Sequence, residues 1–318
     1  MGRFHAAAAK RNGANVTAVA DVDLGRARSL ARTLGGSVNA LLPGDLLATA
    51  KCDAVHICTP ADQHASTARG FLLRGVHVIC EKPVADTAAE TEELIQLAGR
   101  SDKILCAVHQ FPFQNGVARV LGNQNLIGPI RHLTGEICTA GDNEGSDASR
   151  ETLAMSVVPH PLSLFRAFGV RRLAGIKWRV TCASAGEMLF SGANSGIGMS
   201  FLVSTRGRPT RNSFKVIGEN GTGTLDLFHG FSILERGTVS RVRKISQPFT
   251  QSALTLGHAS VNGARRATGR ESAFPGLREL VKRFYKAITE HGSSPISSEE
   301  ILDIAHARDA IVALCRSS

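Results

Sequence analysis

Aromatic residues are scarce in this 318-residue chain: one Trp, one Tyr and 14 Phe make up 5% of it. Proteins that bind single-stranded nucleic acid stack bases on aromatic rings, and here the 37 Lys and Arg are scattered rather than gathered into a stripe. No nucleic-acid partner is expected, and the net charge of +10 points to an anionic ligand or substrate. No apolar run is long enough to cross a bilayer. The longest charge-free stretch, Met188 to Thr205, is broken by Gly192, Gly196 and Gly198 and alternates like a strand, so no membrane partner is expected. No secretory leader is expected, because Arg3 and His5 are followed by four alanines and then Lys10 and Arg11. Ala6 stands where a myristoylation signal needs Ser or Thr. A cytoplasmic location is expected. The seven cysteines (Cys52, Cys58, Cys80, Cys106, Cys138, Cys182 and Cys315) form no C-x-x-C pair. Their odd number and apolar settings read as buried reduced thiols, with neither a metal site nor a disulfide expected.

What is present is enough for two hydrophobic cores, with 43% apolar and 20% charged residues. The first hundred residues alternate short helical and strand patterns, the signature of a parallel sheet with crossover helices. Helix is predicted from Arg3 to Lys10, strand from Val16 to Ala20, and a second helix capped by Asp23. Strands follow at Ala54–Cys58, Val76–Cys80 and Ile104–Val108, with a Thr87/Glu90 capping box between the last two. From about residue 113 the period becomes two. Ile176, Trp178, Val180 and Cys182 alternate with Lys177, Arg179 and Thr181, which predicts antiparallel strands covered on one face. Two amphipathic helices close the chain, and the Gly-, Ser- and Arg-rich stretch from Pro248 to Pro275 reads as a mobile loop or lid. The expected division is 1–112 as a dinucleotide-binding domain and 113–318 as a substrate-binding and oligomerisation domain. The last helix, 297–316, is expected to pack back on the first domain.

Parallel α/β sheets bind ligands beyond the carboxyl ends of their strands. Asp21 ends the Val16 strand nineteen residues after Gly2, the interval that separates a glycine loop from the carboxylate facing an adenosine ribose. A carboxylate there repels a 2′-phosphate, which favours NAD, while the nearby Arg26 and Arg28 leave NADP admissible. The dinucleotide fingerprint itself is short: Gly2 matches only its third glycine, which would allow close helix packing. The first strand and two phosphate-cradling glycines have no counterpart. The strands at 16–20 and 54–58 would then lack a neighbour, and a longer functional chain is expected.

Several motifs converge. The start M-G-R-F-H-A, the A-D-V-D at Asp21, the I-C-T-P strand end with His64 five residues after Thr59, and the triplet Glu81-Lys82-Pro83 resemble the Gfo/Idh/MocA oxidoreductases. The resemblance implies an α/β fold: an N-terminal Rossmann-type parallel sheet, and a C-terminal α+β domain with an open, mainly antiparallel sheet. It implies cofactor contacts from Gly2, Arg3, Phe4, Asp21, Thr59, Pro60, His64, Glu81 and Lys82. It also implies catalytic roles for Lys82 and for His160 in S-V-V-P-H-P-L-S-L-F. An imidazole with a pKa near ~6.5 suits proton abstraction at neutral pH, and a partly desolvated lysine can orient or deprotonate a hydroxyl. Family aspartates four residues before and three after the histidine are replaced by Ser156 and Ser163. His109, Gln110, Gln114, Asn115 and Ser156 are the expected substrate contacts, suited to a polyol. His229 is a further cleft candidate or a strand-turn residue.

The implied activity is NAD(P)-dependent hydride transfer to or from a secondary alcohol of a sugar, cyclitol or similar polyhydroxy compound. Two alternatives stand beside it: NAD-dependent glycoside cleavage, and a non-catalytic nucleotide sensor or degenerate homologue. A sheet with one uncovered, partly apolar face also predicts a homo-oligomer, dimer or tetramer.

Overall fold

The computed structural model describes residues 1–49, 51–139, 145–237, 241–268 and 273–317. The chain divides into two compact units, Met1–Val108 with Leu277–Leu302 and His109–Gly276 with Asp303–Ser318. The segment that returns to the first unit runs from Leu277 to Leu302.

The first unit begins with α1 (Gly2–Arg11), β1 (Ala18–Ala20), α2 (Leu24–Leu34), β2 (Asn39–Leu41), α3 (Pro43–Thr49) and β3 (Ala54–Ile57). It continues with α4 (His64–Leu73), β4 (His77–Cys80), α5 (Ala88–Arg100) and β5 (Leu105–Ala107). Local chemistry sets the helix starts. Asp23 accepts from the backbone N–H groups of Gly25 and Arg26, satisfying donors that the first turn leaves over. Thr87 and Glu90 form the predicted capping box at α5. All the strands run parallel, but they form two ladders, β1–β2 and β3–β4–β5. Among the described residues, β1 and β3 do not pair with each other. The pair β2 and α3 was not legible, because three strand residues and a helix that buries no side chain carry no readable period.

The second unit holds α6 (Asn115–Leu121), α7 (Gln124–Ile127), β6 (Ile130–Cys138), α8 (Asp147–Val157), α9 (Pro159–Ala167) and β7 (Arg179–Ser184). Next come β8 (Glu187–Asn194), β9 (Ile197–Ser204), β10 (Arg211–Gly218), β11 (Gly221–Asp226), β12 (Phe231–Arg236) and α10 (Arg241–Thr268). Of the last two helices, α11 (Leu277–Thr289) belongs to the first unit, and α12 (Ser298–Arg316) begins in the first and continues in the second. The seven strands form one sheet in the order β12-β11-β10-β6-β9-β8-β7, antiparallel except for the β6–β9 pair. Its inner face is aromatic. Phe190 and Phe201 stack at 5.9 Å, Phe168 stacks on Phe214 at 5.7 Å, and Trp178 meets Phe190 edge-on at 5.8 Å. Such pairs add to the stabilisation from burial alone.

The outer face is more polar than the expected partly apolar one. His132, Ser200 and Thr134 are linked by hydrogen bonds, Ser213 donates to Glu136, and the exposed Leu189 and Leu202 sit opposite each other across β8 and β9. A buried ion pair fixes the start of β7. Asp303 accepts from Arg166 Nη1 at 3.0 Å and from the backbone N–H groups of Leu173 and Ala174 at 2.9 Å each.

Two expectations need correction. The segment expected as a mobile loop is helical as far as Thr268, with Pro248 inside α10, while 269–272 lie outside the described residues. The helix was illegible because Ile245, Phe249 and Leu256 are exposed, so its apolar residues do not mark a core-facing stripe. The second correction concerns the thiols. Cys182 and Cys315 form a disulfide with their Cα atoms 5.9 Å apart, within the usual range, and the other five cysteines are free. A sequence separation of 133 offered no signal for that pair.

Two outcomes follow from these contacts. Asp303→Ala leaves Arg166 buried without its partner and should lower unfolding free energy by about 3 kcal/mol in chemical denaturation. A loss below about 1 kcal/mol would mean that the pair contributes little. Thiol titration of protein unfolded without reductant should count five groups. Seven would contradict the disulfide.

Candidate functional site

Each parallel strand of the first unit ends in a turn that carries chemistry. β1 runs into Asp21, β3 into Cys58-Thr59-Pro60, and β4 into Glu81-Lys82-Pro83. The ladder register places Ile57 beside Cys80 and Cys80 beside Ala107, so the 58–60 and 81–83 turns leave the same edge of adjacent strands. Asp21 accepts from the N–H of Asp23 at 2.9 Å, a local turn that holds its carboxylate at the end of β1.

His64 braces the two turns. Its ring is 2% exposed, with Nδ1 2.6 Å from the Pro83 carbonyl and Nε2 2.9 Å from the Thr59 carbonyl. Both ring nitrogens thus face backbone carbonyls of the two turns, and the ring supports the loops. Thr59 presents the opposite case: its buried hydroxyl has no hydrogen-bond partner among the described residues. An orphaned buried hydroxyl costs about 1–3 kcal/mol, so a ligand that satisfies it fits there.

At the start of α1, Met1 supplies no side-chain cap, which leaves backbone N–H groups suited to an anion. The Arg3 guanidinium lies 4.7 Å over the Phe4 ring. Packing does not require glycine at position 2, because a Cβ there would meet only Leu30 at an ordinary 4.0 Å. The expectation of close helix packing through Gly2 is corrected accordingly. The residues present nevertheless fit a dinucleotide: a phosphate-attracting helix start, a carboxylate after β1 and an unmatched hydroxyl after β3.

Beneath Lys82 lies a buried cluster that sequence reasoning missed. His5 Nε2 is 3.0 Å from Glu81 Oε1, His5 Nδ1 is 2.9 Å from His56 Nδ1, and His56 Nε2 is 2.8 Å from the Tyr285 hydroxyl. Glu81 also accepts from the backbone N–H of Lys82 at 3.4 Å. Burial by itself would push the His5 imidazole down, but its contacts with Cys58 and Glu81 outweigh this and raise it to about 9. Burial and the charge on His5 hold His56 well below the usual imidazole range. Burial would raise Glu81, yet the His5 hydrogen bond leaves its carboxyl below the usual range. The signals were present but weak: a histidine in M-G-R-F-H-A, a polar residue in the apolar strand A-V-H-I, and the chain's one tyrosine.

In the second unit, His160 lies on α9 and stacks face to face on Phe111, with ring centroids 4.2 Å apart and planes 10° from parallel. Ser163 donates to the His160 carbonyl and Ser156 to the Leu153 carbonyl, so these two bonds serve the helix backbone rather than the imidazole ring. His109, Gln110 and Gln114 are buried, while Asn115 is exposed. Gln114 Nε2 donates to the Leu227 carbonyl, whereas the buried Oε1 atoms of Gln110 and Gln114 have no partner among the described residues. Gly276, at φ 88°, closes over this turn. A Cβ there would run into the Gln110 carbonyl and stand 3.0 Å from the Gln114 nitrogen. His229 is a strand-turn residue, exposed and held by Asp226 through both its backbone N–H and Nδ1, at 2.8 Å each.

No helix among the described residues is long and apolar enough to span a membrane, and no cluster there could hold a metal ion. Residues 1–109 match the family model described as an oxidoreductase family with an NAD-binding Rossmann fold, Gfo/Idh/MocA. The chain is 33% identical over 93 residues to a scyllo-inositol 2-dehydrogenase (NADP(+)) of Bacillus subtilis, covering 29% of this chain and 28% of that protein. It is 39% identical over 84 residues to inositol 2-dehydrogenase 1 of Saccharopolyspora erythraea, covering 26% and 25%. The alignments thus span little more than a quarter of these relatives. A levoglucosan dehydrogenase solved with NADH and levoglucosan shares the fold at a TM-score of 0.78 and 18% identity, covering 100% of this chain and 95% of that one.

The cluster sets a pH optimum of stability. His5 keeps its proton in the folded state up to about 9, so its contribution is full below 6.5 and lost as pH rises through about 9. His56 folds neutral, so stability falls as pH drops below 6.5, where the unfolded ring gains a proton. Glu81 adds a contribution that is lost below 4.5, as pH falls toward its lowered folded value. Denaturation midpoints across pH 5 to 9 should peak near ~6.5, the imidazole reference value. A His5→Gln variant should lose the alkaline decline.

Proposed function

We propose, on the premise that residues 1–109 belong to the Gfo/Idh/MocA oxidoreductases, that this protein is an NAD(P)-dependent dehydrogenase. Its substrate is a secondary alcohol of a sugar, cyclitol or similar polyhydroxy compound. The observation that carries the reading is the pair of adjoining turns after β3 and β4 in an NAD-binding unit, one bearing the unmatched Thr59 hydroxyl and the other Lys82.

In this reading the N–H groups at Gly2 and Arg3 take the diphosphate, beside Phe4, whose own N–H is donated to the Met1 carbonyl and whose ring lies under the Arg3 guanidinium. Asp21 accepts from the adenosine ribose, and Thr59, Pro60 and the Glu81–Lys82 turn flank the remainder. The bound nicotinamide supplies a two-electron hydride carrier. The chain's own residues handle the proton. Lys82 orients the reacting hydroxyl through its ammonium and holds developing negative charge at that oxygen. His160, its ring plane fixed by Phe111, takes the hydroxyl proton. His109, Gln110, Gln114, Asn115 and Ser156 are assigned to the substrate. The free Oε1 acceptors of Gln110 and Gln114 suit hydroxyl donors, as a polyol requires. The names of the inositol dehydrogenase relatives support the same substrate class. A homo-oligomer is proposed through the open sheet face, where the paired Leu189 and Leu202 are 46% and 37% exposed.

The test is calorimetric titration with NAD and NADP together with turnover on inositols and aldoses. Lys82→Ala should lower kcat by about 100-fold or more, with NAD affinity changed by less than about threefold. Asp21→Ala should weaken NAD more than NADP, since the carboxylate favours a free 2′-hydroxyl. Absence of nucleotide binding to the intact protein would reject the reading.

A further inference from the structure

The dehydrogenase reading gives Lys82 a task but leaves four linked polar groups without one, two buried and two half-buried. Glu81 is 8% exposed and His5 1%, and together with His56 and Tyr285 they form an unbroken line of hydrogen bonds. A hydrophobic filling of the same space would be simpler and at least as stable, so a polar line here needs a reason. It reaches the Lys82 turn through Glu81, which is joined to Lys82 by the peptide bond and by the backbone N–H of Lys82.

We propose that His5 is a positioning residue for Lys82, acting through Glu81, and that His56 and Tyr285 hold the His5 ring in the orientation this requires. The inference rests on the reading of Lys82 as the residue beside the reacting hydroxyl.

With Glu81 ionised and His56 neutral, the line admits two proton arrangements. In one, His5 carries both ring protons and donates Nε2–H to Glu81 and Nδ1–H to His56. His56 then carries its proton on Nε2 and donates to the Tyr285 oxygen. In the other, His5 is neutral and keeps Nε2–H toward Glu81, while His56 donates from Nδ1 and Tyr285 donates to His56 Nε2. The directions found for His5 and His56 select the first arrangement near neutral pH. Loss of one proton from the line converts it to the second, reversing the His56 and Tyr285 bonds and leaving the Glu81 carboxylate uncompensated.

The groups facing His5 are Cys58 and His56 from β3 and its flank, and Glu81 after β4. Tyr285 from α11 acts through His56, and Lys82 and the buried Cys80 thiol interact with Glu81. Tyr285, pushed up to about 12 by burial, stays a neutral hydroxyl throughout the working range. Glu81, compensated by an imidazolium, draws less on the Lys82 ammonium. With a neutral partner it binds that ammonium more tightly, which raises the Lys82 midpoint and draws the ammonium away from the reacting hydroxyl.

The test uses the full chain, reductively methylated with ¹³C-formaldehyde, with the Lys82 resonance assigned by its disappearance in Lys82→Arg. His5→Gln retains a donor toward Glu81 but not the charge, and should raise the Lys82 titration midpoint by about 0.5–1 unit. Tyr285→Phe removes one hydroxyl at the far end and should shift the midpoint in the same direction by less. In turnover, His5→Gln should lower kcat severalfold with KM for NAD unchanged. It should also abolish the alkaline fall that the wild type shows toward pH ~9, where the buried pair loses its proton. An unchanged Lys82 midpoint in Tyr285→Phe and in folded His5→Gln overturns the proposal. If His5→Gln does not fold, Tyr285→Phe decides. The resonance reads the coupling without turnover, so a wild type that binds no nucleotide would reject the dehydrogenase reading and leave this test standing.

Discussion

A carboxylate taken out of water must be met by a cation or give up its charge, and in this protein that constraint falls on Glu81. The side chain lies at the mouth of β4, where the backbone leaves a buried ladder and turns into the Glu81-Lys82-Pro83 segment. His5 meets it from α1, and His56 steadies His5 from β3. Tyr285 closes the line from α11, a helix that reaches the first unit only after the chain has made its excursion through the second. One helix start, two adjacent strands and a late helix are therefore tied to a single ionic contact. The placement of the turn beside Lys82 depends on all of them.

The second unit uses the same solution for a different purpose. Asp303, also buried, is neutralised by Arg166 and satisfied by two backbone N–H groups from the turn before β7. Here the charge pair pins a loop to a helix at the margin of an aromatic core. One contact ties a loop to a helix, whereas the other is continuous with the turn that carries Lys82.

Much of the first unit was legible because its signals are local. The Asp23 cap and the Thr87/Glu90 box each depend on residues within three positions of one another, and both were found where the spacing placed them. The alternation of Trp178 and Val180 with charged neighbours identified a sheet buried on one face. What escaped was non-local or weakly amphipathic. The Cys182–Cys315 bond joins residues 133 apart, and the His5–His56–Tyr285 line draws on three distant segments. α10 defeated the periodic reading because its large apolar residues face solvent, and a proline within it mimicked a loop. The candidate site divides the same way. Lys82 and Asp21 were announced by motif, whereas the bracing role of His64 emerged only when both its ring nitrogens were seen to be occupied.

The cystine between β7 and the end of α12 carries a topological consequence. It closes a ring of chain that contains most of the large sheet, all of α10 and the whole Leu277–Leu302 passage through the other unit. A protease cutting once anywhere inside that ring would produce two peptides that stay covalently joined. Such a nicked molecule would migrate at full mass until a reductant released the pieces, and damage in the exposed α10 would pass unnoticed on a gel run without one.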